Sequence, residues 1–351
     1  MKVLVIQIKM IGDVLASTVI CETIKKNNPN CEIHYLIQKN SFAVVENNPF
    51  IDKVIFFEEE KYKGFKGFVK LGKEIKQENY TAIIDAYGKL QSIIPSYLSK
   101  VKTRIATKKW YTDLLFTKTV TPDTECEGTA NAFRLLLAKT FLKKEVELIY
   151  PKIHLTSEET TNAKSIIESQ LNISKPIFMI SIVGSAPNKS LPKDYMAKVL
   201  DTITISNKNA QLVFNYMPNQ KDEAKAIFDS CNLETQKQIV FDFYCKGLRT
   251  FISVLSQCDA LIGNEGGATN MAKALNIPTF TIYAPWINRN SWNIMETSGL
   301  HDIVHLRDYY SDLYKNKHPK NFKEKSLEWY EKLNPDLFKE KLEQFVKRIS
   351  Q

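Results

Sequence analysis

Short runs rich in β-branched residues alternate with helical patterns along both halves of the chain, and this alternation constrains the fold most. Each run has about the length of a buried strand. Parallel strands that are buried on both faces read as nearly continuous apolar runs, with helices between them covering the sheet. The sequence therefore predicts an α/β protein with two doubly wound parallel sheets. The predicted strands are residues 2–8, 32–37, 53–57, 81–85, 177–183, 211–216, 238–241, 260–263 and 279–283.

The length of 351 residues predicts two domains. Thr156 and Glu159 follow Pro151 in the pattern of a capping box, which opens a helix and places the boundary near residue 155. The tail from Asn334 has the residues of a helix start and a later apolar face, and we expect this helix to pack back across both domains. The predicted segments are residues 1–155, 156–325 and 326–351.

Basic residues are concentrated in the first part of the chain. Lys and Arg total 48 against 39 acids, and residues 1–150 hold 23 bases and 17 acids, an excess of 6. This excess predicts an anionic partner for the first domain, although a solvated basic face would have the same composition. No nucleic-acid reader motif is present, which disfavours a nucleic-acid partner. The longest acid-free basic run contains Lys100, Lys102, Arg104, Lys108 and Lys109.

Apolar runs and cysteine spacing limit the location of the protein. No apolar stretch approaches the roughly 18 residues of a membrane-spanning helix. Lys9 and Asp13 interrupt the first apolar run before any cleavage site of a signal peptide. Six cysteines without a CxxC spacing favour reduced thiols. We therefore expect a cytoplasmic protein, with peripheral contact to the inner membrane surface as a further expectation.

The turn after the first predicted strand contains Gly12 and Asp13. It lacks the GxGxxG pattern of dinucleotide-binding proteins. The helix dipole favours an ionised carboxylate at the first helical residues, so Asp13 could act as a base in a ligand site. The alternative is that Asp13 only caps the helix.

Residues 184–192 follow the first strand of the second half and contain Ser185 and Lys189. Hydroxyl, backbone N–H and ammonium donors in one small-residue loop suit phosphate oxygens. A plain surface turn would have a similar composition.

Residues 262–275 follow another predicted strand and open a helix. Gly266 and Gly267 allow a ligand to approach backbone amides at the helix start. Glu265 can accept hydrogen bonds from a polyol while those amides face an anion, a pairing that suggests a sugar phosphate. The alternative is a glycine-rich cap with a solvated acid.

Three other features carry weaker hypotheses. His301 and His305 have the i,i+4 spacing of a helical metal site but lack the glutamate of an HExxH motif. Trp110 and Tyr111 could stack on acceptor sugars or anchor a loop. Residues that could contact a ribose follow the strand that ends at Tyr216, namely Asn219, Gln220, Asp222 and Glu223.

These turns together resemble the ADP-heptose:lipopolysaccharide heptosyltransferases of glycosyltransferase family 9. The resemblance rests on Gly12-Asp13-Val14-Leu15, on the Lys189-to-Pro192 pattern and on Glu265-Gly266-Gly267 followed by Ala-Leu-x-x-Pro. It covers most of the chain in order and spacing. It implies the GT-B architecture, with two Rossmann-like domains facing a central cleft and a C-terminal helix that crosses them. It also implies inverting, metal-independent transfer.

The resemblance also implies roles for individual residues. Asp13 stands at the position of the family's general base, beside Gly12. Ser185 and Lys189 stand where the donor phosphates bind, with Lys189 also assisting the departure of the diphosphate. Glu265 replaces an aspartate that contacts the donor sugar, Gly266 and Gly267 supply amides to phosphate, and Asn270 replaces a common histidine. Glutamate lengthens the arm by one methylene, and asparagine removes a group that could titrate or donate as a cation near the phosphates.

The resemblance implies a glycosyltransferase that moves heptose or a related sugar from a nucleotide sugar, ADP-heptose in the first instance, to an anionic glycolipid or oligosaccharide of the lipopolysaccharide core. The first domain would bind the acceptor and the second the nucleotide sugar. No Asp-x-Asp pair is present, so neither a metal nor another cofactor is expected. The rivals are a nucleotide-sugar epimerase or hydrolase of similar fold and a non-catalytic nucleotide-sugar-binding protein.

Overall fold

The computed structural model describes residues 1–121, 128–288, 299–315 and 322–350. These residues form two compact units, and the division falls between His154 and Leu155. Each unit contains a parallel sheet with helices on its faces. The predicted α/β class and the two parallel sheets are therefore confirmed. No helix of the described residues combines the length and the apolar character that crossing a membrane requires.

The first unit contains a sheet of six described strands in the order β3-β2-β1-β4-β5-β6, all parallel. Val3, Leu4, Val5 and Ile6 of its central strand are completely buried, as expected for a strand covered on both faces. Its strands are β1 (Lys2–Ile6), β2 (Glu32–Ile37), β3 (Lys53–Phe56), β4 (Ala82–Asp85), β5 (Thr103–Thr107) and β6 (Lys118–Val120). Its helices are α1 (Ile11–Asn27), α2 (Gly64–Gln77), α3 (Leu90–Leu98), α4 (Trp110–Leu115) and α5 (Thr129–Leu142).

The second unit contains a sheet of five described strands in the order β11-β10-β9-β7-β8, again all parallel. Its strands are β7 (Ile177–Ser181), β8 (Gln211–Asn215), β9 (Ala260–Asn264), β10 (Thr279–Ile282) and β11 (His301–Val304). Its helices are α6 (Ser157–Glu168), α7 (Lys193–Ser206), α8 (Lys221–Ser230), α9 (Leu233–Gln238), α10 (Leu248–Leu255), α11 (Gly267–Ala274), α12 (Ser326–Lys332) and α13 (Lys339–Ile349).

The strand predicted at residues 238–241 is wrong. Ile239 makes only an isolated bridge to Leu212, and the preceding residues form α9. The strands β5, β6 and β11 were not predicted, because basic or polar residues interrupt their apolar patterns. His301 and His305 therefore do not lie on a helix, since β11 begins at His301.

The predicted helix starts are largely confirmed. Thr156 Oγ1 accepts from Glu159 N at 3.1 Å, and Glu159 Oε2 accepts from Thr156 N at 2.8 Å, which is a complete capping box. In the tail, Asn334 caps a short 3₁₀ turn, and α13 begins only after it, at Lys339. The apolar face of α13 packs on α7, and the ring centres of Phe345 and Phe280 are 5.5 Å apart.

In each sheet the strand order reverses beside the first strand, so helices on either side of that point cover opposite faces. In the first unit this switch point lies between β1 and β4, and in the second between β7 and β9. Ligands of open parallel sheets bind outside the carboxyl ends of the strands at such points. The turns after these four strands are therefore where a functional site is expected.

Candidate functional site

Asp13 lies at the carboxyl edge of the first sheet, as the third residue of α1. Met10 is the N-cap residue and no side chain caps this helix, so the alternative that Asp13 is a helix cap is wrong. Its carboxylate instead accepts a hydrogen bond at Oδ1 from Arg134 Nη2 at 2.7 Å. The Asp13 side chain remains 31% exposed. An ionic partner on one oxygen fixes the orientation of the carboxylate and leaves its exposed part accessible to a ligand.

Arg134, from α5, is a side chain of the candidate site that the sequence reasoning missed. Its side chain is only 5% exposed, and it also donates to Ser17 Oγ at 2.8 Å and to the Ala130 carbonyl at 2.5 Å. A guanidinium held at three points is a rigid support for the carboxylate. The sequence contains one weak signal, because the charged Arg134 directly precedes Leu135, and both residues are buried in α5.

Asp85 ends the neighbouring strand β4 and is completely buried. Its Oδ1 accepts from Tyr87 N at 3.0 Å and Gly88 N at 2.9 Å, which shapes the turn before α3. Burial raises the pKa of Asp85 to about 6, although these backbone donors oppose the shift. Lys109 Nζ donates to the Gly88 carbonyl at 3.0 Å, so the turns after β4 and β5 contact each other.

The predicted basic run does not form one cluster. Lys100 and Lys102 precede β5, whereas Lys108 and Lys109 follow it, and five strand residues separate them by roughly 16 Å. Arg104 lies within β5 and donates to the carbonyls of Val101 and Leu115, which is a structural role. Of the five residues of this run, only Lys108 and Lys109 lie at the edge of the sheet that carries Asp13. Lys108 also pairs with Asp113 at 3.6 Å.

In the second unit, the loop after β7 is held against β9 by Asn264. This fully buried amide accepts from Leu191 N at 2.8 Å and donates to the Ser181 and Ile182 carbonyls at 3.1 and 3.0 Å. Gly184 is required here because a Cβ at this position would lie 2.2 Å from the Lys189 carbonyl oxygen. The loop is therefore a closely packed structure rather than a plain surface turn.

This packing brings Lys189 and Glu265 together. Lys189 Nζ lies 3.1 Å from Glu265 Oε1, and their side chains are 26% and 10% exposed. The approach of the ammonium does not meet hydrogen-bond geometry, and the buried Oε1 makes no hydrogen bond with the described residues. The acid and the base predicted to contact a sugar phosphate are thus neighbours at the switch point, and Oε1 retains capacity to accept a hydrogen bond.

The remaining residues of the predicted donor site surround this pair along the chain. Gly266 and Gly267 follow Glu265 directly, and Gly267 is the first residue of α11. A Cβ at Gly266 would contact nothing within 4 Å, so the space in front of the helix start is open. Ser185 is exposed in the same loop as Lys189, and Asn270 is half-buried in the first turn of α11. These donors lie in the loop after β7 and at the start of α11, the two segments that the contact of Lys189 with Glu265 joins.

An aromatic platform that the sequence reasoning missed supports Lys189. Its ammonium lies 5.6 Å from the centre of the Trp286 ring, and Lys323 Nζ lies 5.3 Å from the same ring. Trp286 Nε1 donates to the Asn188 carbonyl at 2.7 Å, and Ser326 Oγ of α12 donates to it at 2.9 Å. Lys189 and Trp286 are 97 positions apart, so no local pattern indicates their contact.

The weaker hypotheses have separate outcomes. Gln220 donates to the Gly184 carbonyl at 2.8 Å and so supports the loop. His301 is buried against Thr279, and burial lowers its pKa to about 4. Within the described ranges, no three His, Cys, Asp or Glu side chains are placed to hold a metal ion. Trp110 is 81% exposed, so it is not a buried loop anchor.

Comparisons with known proteins agree with this architecture. The sequence profile of glycosyltransferase family 9 (heptosyltransferase) matches residues 68–291. Lipopolysaccharide heptosyltransferase 1 of Campylobacter coli is 23% identical over 290 residues, which is 81% of this chain and 84% of that protein. The family 9 glycosyl transferase of Veillonella parvula superposes with a TM-score of 0.81 at 16% identity, covering 99% of this chain and 96% of that chain. The ADP-heptose lipopolysaccharide heptosyltransferase II of Escherichia coli superposes with a TM-score of 0.69 at 16% identity, covering 97% and 100%.

Two units with doubly wound parallel sheets, together with these matches, define a glycosyltransferase of the GT-B fold. The profile covers well over half of the chain, including the segment from Lys189 to Asn270. The chain therefore belongs to glycosyltransferase family 9, the heptosyltransferase family.

Proposed function

We propose that this enzyme transfers a heptose or a related sugar from an ADP-linked donor to an anionic acceptor of the lipopolysaccharide core, with inversion and without a metal. Its similarity to a lipopolysaccharide heptosyltransferase and to an ADP-heptose lipopolysaccharide heptosyltransferase supports this donor and acceptor class. The observation that carries the proposal is the contact of Lys189 with Glu265 beside the start of α11. This arrangement pairs an acceptor for sugar hydroxyls with donors for phosphate.

The donor binds to the second unit. Lys189, the Ser185 hydroxyl and the amides at Gly266 and Gly267 neutralise the diphosphate, as charge develops on it during departure. Glu265 Oε1 accepts from a sugar hydroxyl. Lys323 adds a second ammonium beside Trp286. In the proposed mechanism these side chains and amides, rather than a metal ion, neutralise the charge of the diphosphate.

Asp13 acts on the acceptor. Arg134 holds Oδ1, so the other oxygen of the carboxylate takes the proton of the acceptor hydroxyl. The hydroxyl oxygen bonds to the anomeric carbon while the bond from that carbon to the diphosphate oxygen breaks, and ADP leaves with the electron pair. Attack from the face opposite the leaving group inverts the anomeric configuration.

Kinetics of variants in the full-length chain test these roles. Asp13→Asn should lower kcat by a factor of about 100 to 10,000 and leave the ADP affinity unchanged, because the base acts only in the chemical step. Lys189→Ala should weaken ADP binding and lower kcat. Lys193→Ala is the matched control, since this lysine is 52% exposed and pairs with Asp194 nearby. Unchanged kcat in Asp13→Asn would contradict the proposal.

An assay without acceptor separates the rivals. A transferase should leave ADP-heptose largely intact until a heptose-free core acceptor is added. An epimerase or hydrolase would convert the donor by itself, and a non-catalytic binding protein would convert nothing in either mixture. Thermal stabilisation by a panel of nucleoside diphosphates would identify the base, with ADP expected to give the largest shift.

A further inference from the structure

Tyr330, on α12, carries a buried hydroxyl group that the proposed function does not use. Its side chain is completely buried, and its hydroxyl makes no hydrogen bond with any described residue. A buried hydroxyl without a partner is unfavourable, because it has given up its hydrogen bonds to water. Phenylalanine would fill the same space without this cost. We therefore expect the hydroxyl to gain a partner in another state of the protein.

The helix α12 is fixed against the loop after β7. Ser326 and Tyr330 lie four residues apart on one face of this helix, and both are buried. Ser326 Oγ donates to the Asn188 carbonyl at 2.9 Å. Tyr195 Oη, from α7, donates to the Glu331 carbonyl at 2.9 Å. Hydrogen bonds on both sides of Tyr330 therefore restrict its position.

The charge of Glu265 acts on the Tyr330 hydroxyl. Burial raises the pKa of Tyr330 well above its usual range, and the negative charge of Glu265 raises it further. The hydroxyl therefore keeps its proton and remains a hydrogen-bond donor. An ionised carboxylate accepts hydrogen bonds at both oxygens, and hydrogen bonds to a charged acceptor are stronger than those between neutral groups. Glu265 is therefore a suitable acceptor for Tyr330.

Glu265 already has a competing partner. Lys189 Nζ lies 3.1 Å from Glu265 Oε1, and the Glu265 side chain is only 10% exposed. A bound diphosphate would attract this ammonium away from the carboxylate, because the lysine arm is flexible and the diphosphate carries more negative charge. Removing one member of a nearly buried ion pair is unfavourable unless another group replaces it. Donor binding therefore requires a new partner for Glu265.

We propose that Tyr330 replaces Lys189 as the partner of Glu265 when the donor binds. As the ammonium of Lys189 moves to the diphosphate, the Tyr330 hydroxyl donates to one oxygen of the carboxylate, and the other oxygen accepts from a sugar hydroxyl. Tyr330 is thus a positioning residue that acts through Glu265. It makes recognition of the sugar depend on binding of the phosphates. The inference rests on the proposed function, which assigns Lys189 to the diphosphate and Glu265 to the sugar.

Melting temperatures of the full-length chain without any ligand test this exchange of partners. In the wild-type background, Tyr330→Phe should leave the melting temperature unchanged or raise it, because the hydroxyl has no partner there. In the Lys189→Ala background the hydroxyl already binds Glu265, so Tyr330→Phe should lower the melting temperature by about 3 °C. Tyr314→Phe is the matched control. Its hydroxyl donates to the Pro285 carbonyl at 2.9 Å, so its loss should have the same effect in both backgrounds.

Affinities for ADP test the exchange with the diphosphate itself. Tyr330→Phe should weaken ADP binding about tenfold, because Glu265 then has no donor to replace Lys189. Glu265→Gln removes the charge of the carboxylate. In that background, Tyr330→Phe should change the ADP affinity by less than about twofold.

The outcomes distinguish the inference from the proposed function. An equal effect of Tyr330→Phe on the melting temperature with and without Lys189→Ala would overturn the inference. The same holds if Tyr330→Phe leaves the ADP affinity unchanged, or weakens it equally with and without Glu265→Gln. Melting temperatures that follow the expected pattern in a protein that does not bind ADP would support the contact of Tyr330 with Glu265 and contradict only the proposed function.

Discussion

At the scale of single residues, the proposed chemistry of each unit depends on a charged side chain whose partner comes from a distant part of the sequence. Arg134 lies 121 positions from the Asp13 that it holds, and Lys189 lies 76 positions before Glu265. In each pair one side chain is nearly buried, which strengthens the interaction because water screens it less. The orientation of the acid is thus decided by a neighbour.

The role of Arg134 in positioning Asp13 is tested by Arg134→Lys. Lysine keeps the charge but cannot bind Asp13, Ser17 and the Ala130 carbonyl together, so the carboxylate loses its fixed orientation. We expect kcat to fall about 10- to 100-fold while the ADP affinity is unchanged. Arg104→Lys is the control for loss of a structural guanidinium. Normal kcat in Arg134→Lys would show that Arg134 only stabilises the fold.

Asp85 gives a pH-dependent prediction. Its pKa is raised to about 6 by burial, so the folded protein binds its proton more tightly than the unfolded chain does. The contribution of Asp85 to stability is complete below about pH 4 and is lost as the pH rises through about 6. A shift of about two units corresponds to about 3 kcal/mol. Asp85→Asn keeps the oxygen that accepts from Tyr87 N and Gly88 N.

Urea unfolding of both proteins at pH 4 and pH 7 measures this effect. The free energy of unfolding of Asp85→Asn minus that of wild type should be about 3 kcal/mol higher at pH 7 than at pH 4. Wild type loses stability as Asp85 ionises, whereas asparagine does not ionise. The comparison between proteins cancels the titration of other groups. If the two proteins differed by the same free energy of unfolding at both pH values, burial would not raise the pKa of Asp85.

At the scale of elements, the proposed donor site depends on the close contact of β9 with β7. Gly263 has φ 130°, and a Cβ there would lie 2.4 Å from the Ser181 carbonyl oxygen. The adjacent Asn264 then holds the loop after β7. Strand packing and loop position are therefore coupled through two consecutive residues at the end of β9.

Substitutions in this segment should have different effects. Gly263→Ala should lower the free energy of unfolding by about 3 kcal/mol, since the methyl group meets backbone atoms that cannot move aside. Gly266→Ala should change it by less than about 0.5 kcal/mol, since nothing lies within 4 Å of the added carbon. Urea unfolding measures both. A stable Gly263→Ala protein would contradict the close approach of β9 to β7.

At the scale of the whole molecule, the charge distribution separates the two units. Residues 1–150 hold an excess of 6 positive charges and residues 151–300, with 14 bases and 13 acids, an excess of 1. We expect an uneven field of this kind to attract the proposed anionic acceptor to the first unit.

Salt dependence of acceptor binding tests this field. The affinity for a phosphorylated core acceptor should fall about three- to tenfold between 50 and 300 mM salt, because exposed charges are screened within about 10 Å. A dephosphorylated acceptor is the control and should bind with little dependence on salt. Titration by fluorescence or calorimetry measures both. Equal salt responses would remove the electrostatic argument for the anionic acceptor.

The sequence by itself determined the α/β class, most strands of the two sheets, the capping box at Thr156 and the amphipathic tail helix. These features follow from local periodicity and from caps, which act over a few residues. It also pointed to the turns after β1, β7 and β9, since polar residues directly follow apolar strands there. The strand predicted at residues 238–241 failed because an apolar run does not ensure a pairing partner.

Only the tertiary structure decided which side chains meet. The contacts of Arg134 with Asp13 and of Trp286 with Lys189 and Lys323 join residues 37 to 121 positions apart, beyond any periodic pattern. The same folding separated the basic run, because β5 passes through its middle. Strand order places distant turns at one edge of a sheet, and local sequence carries little information about strand order.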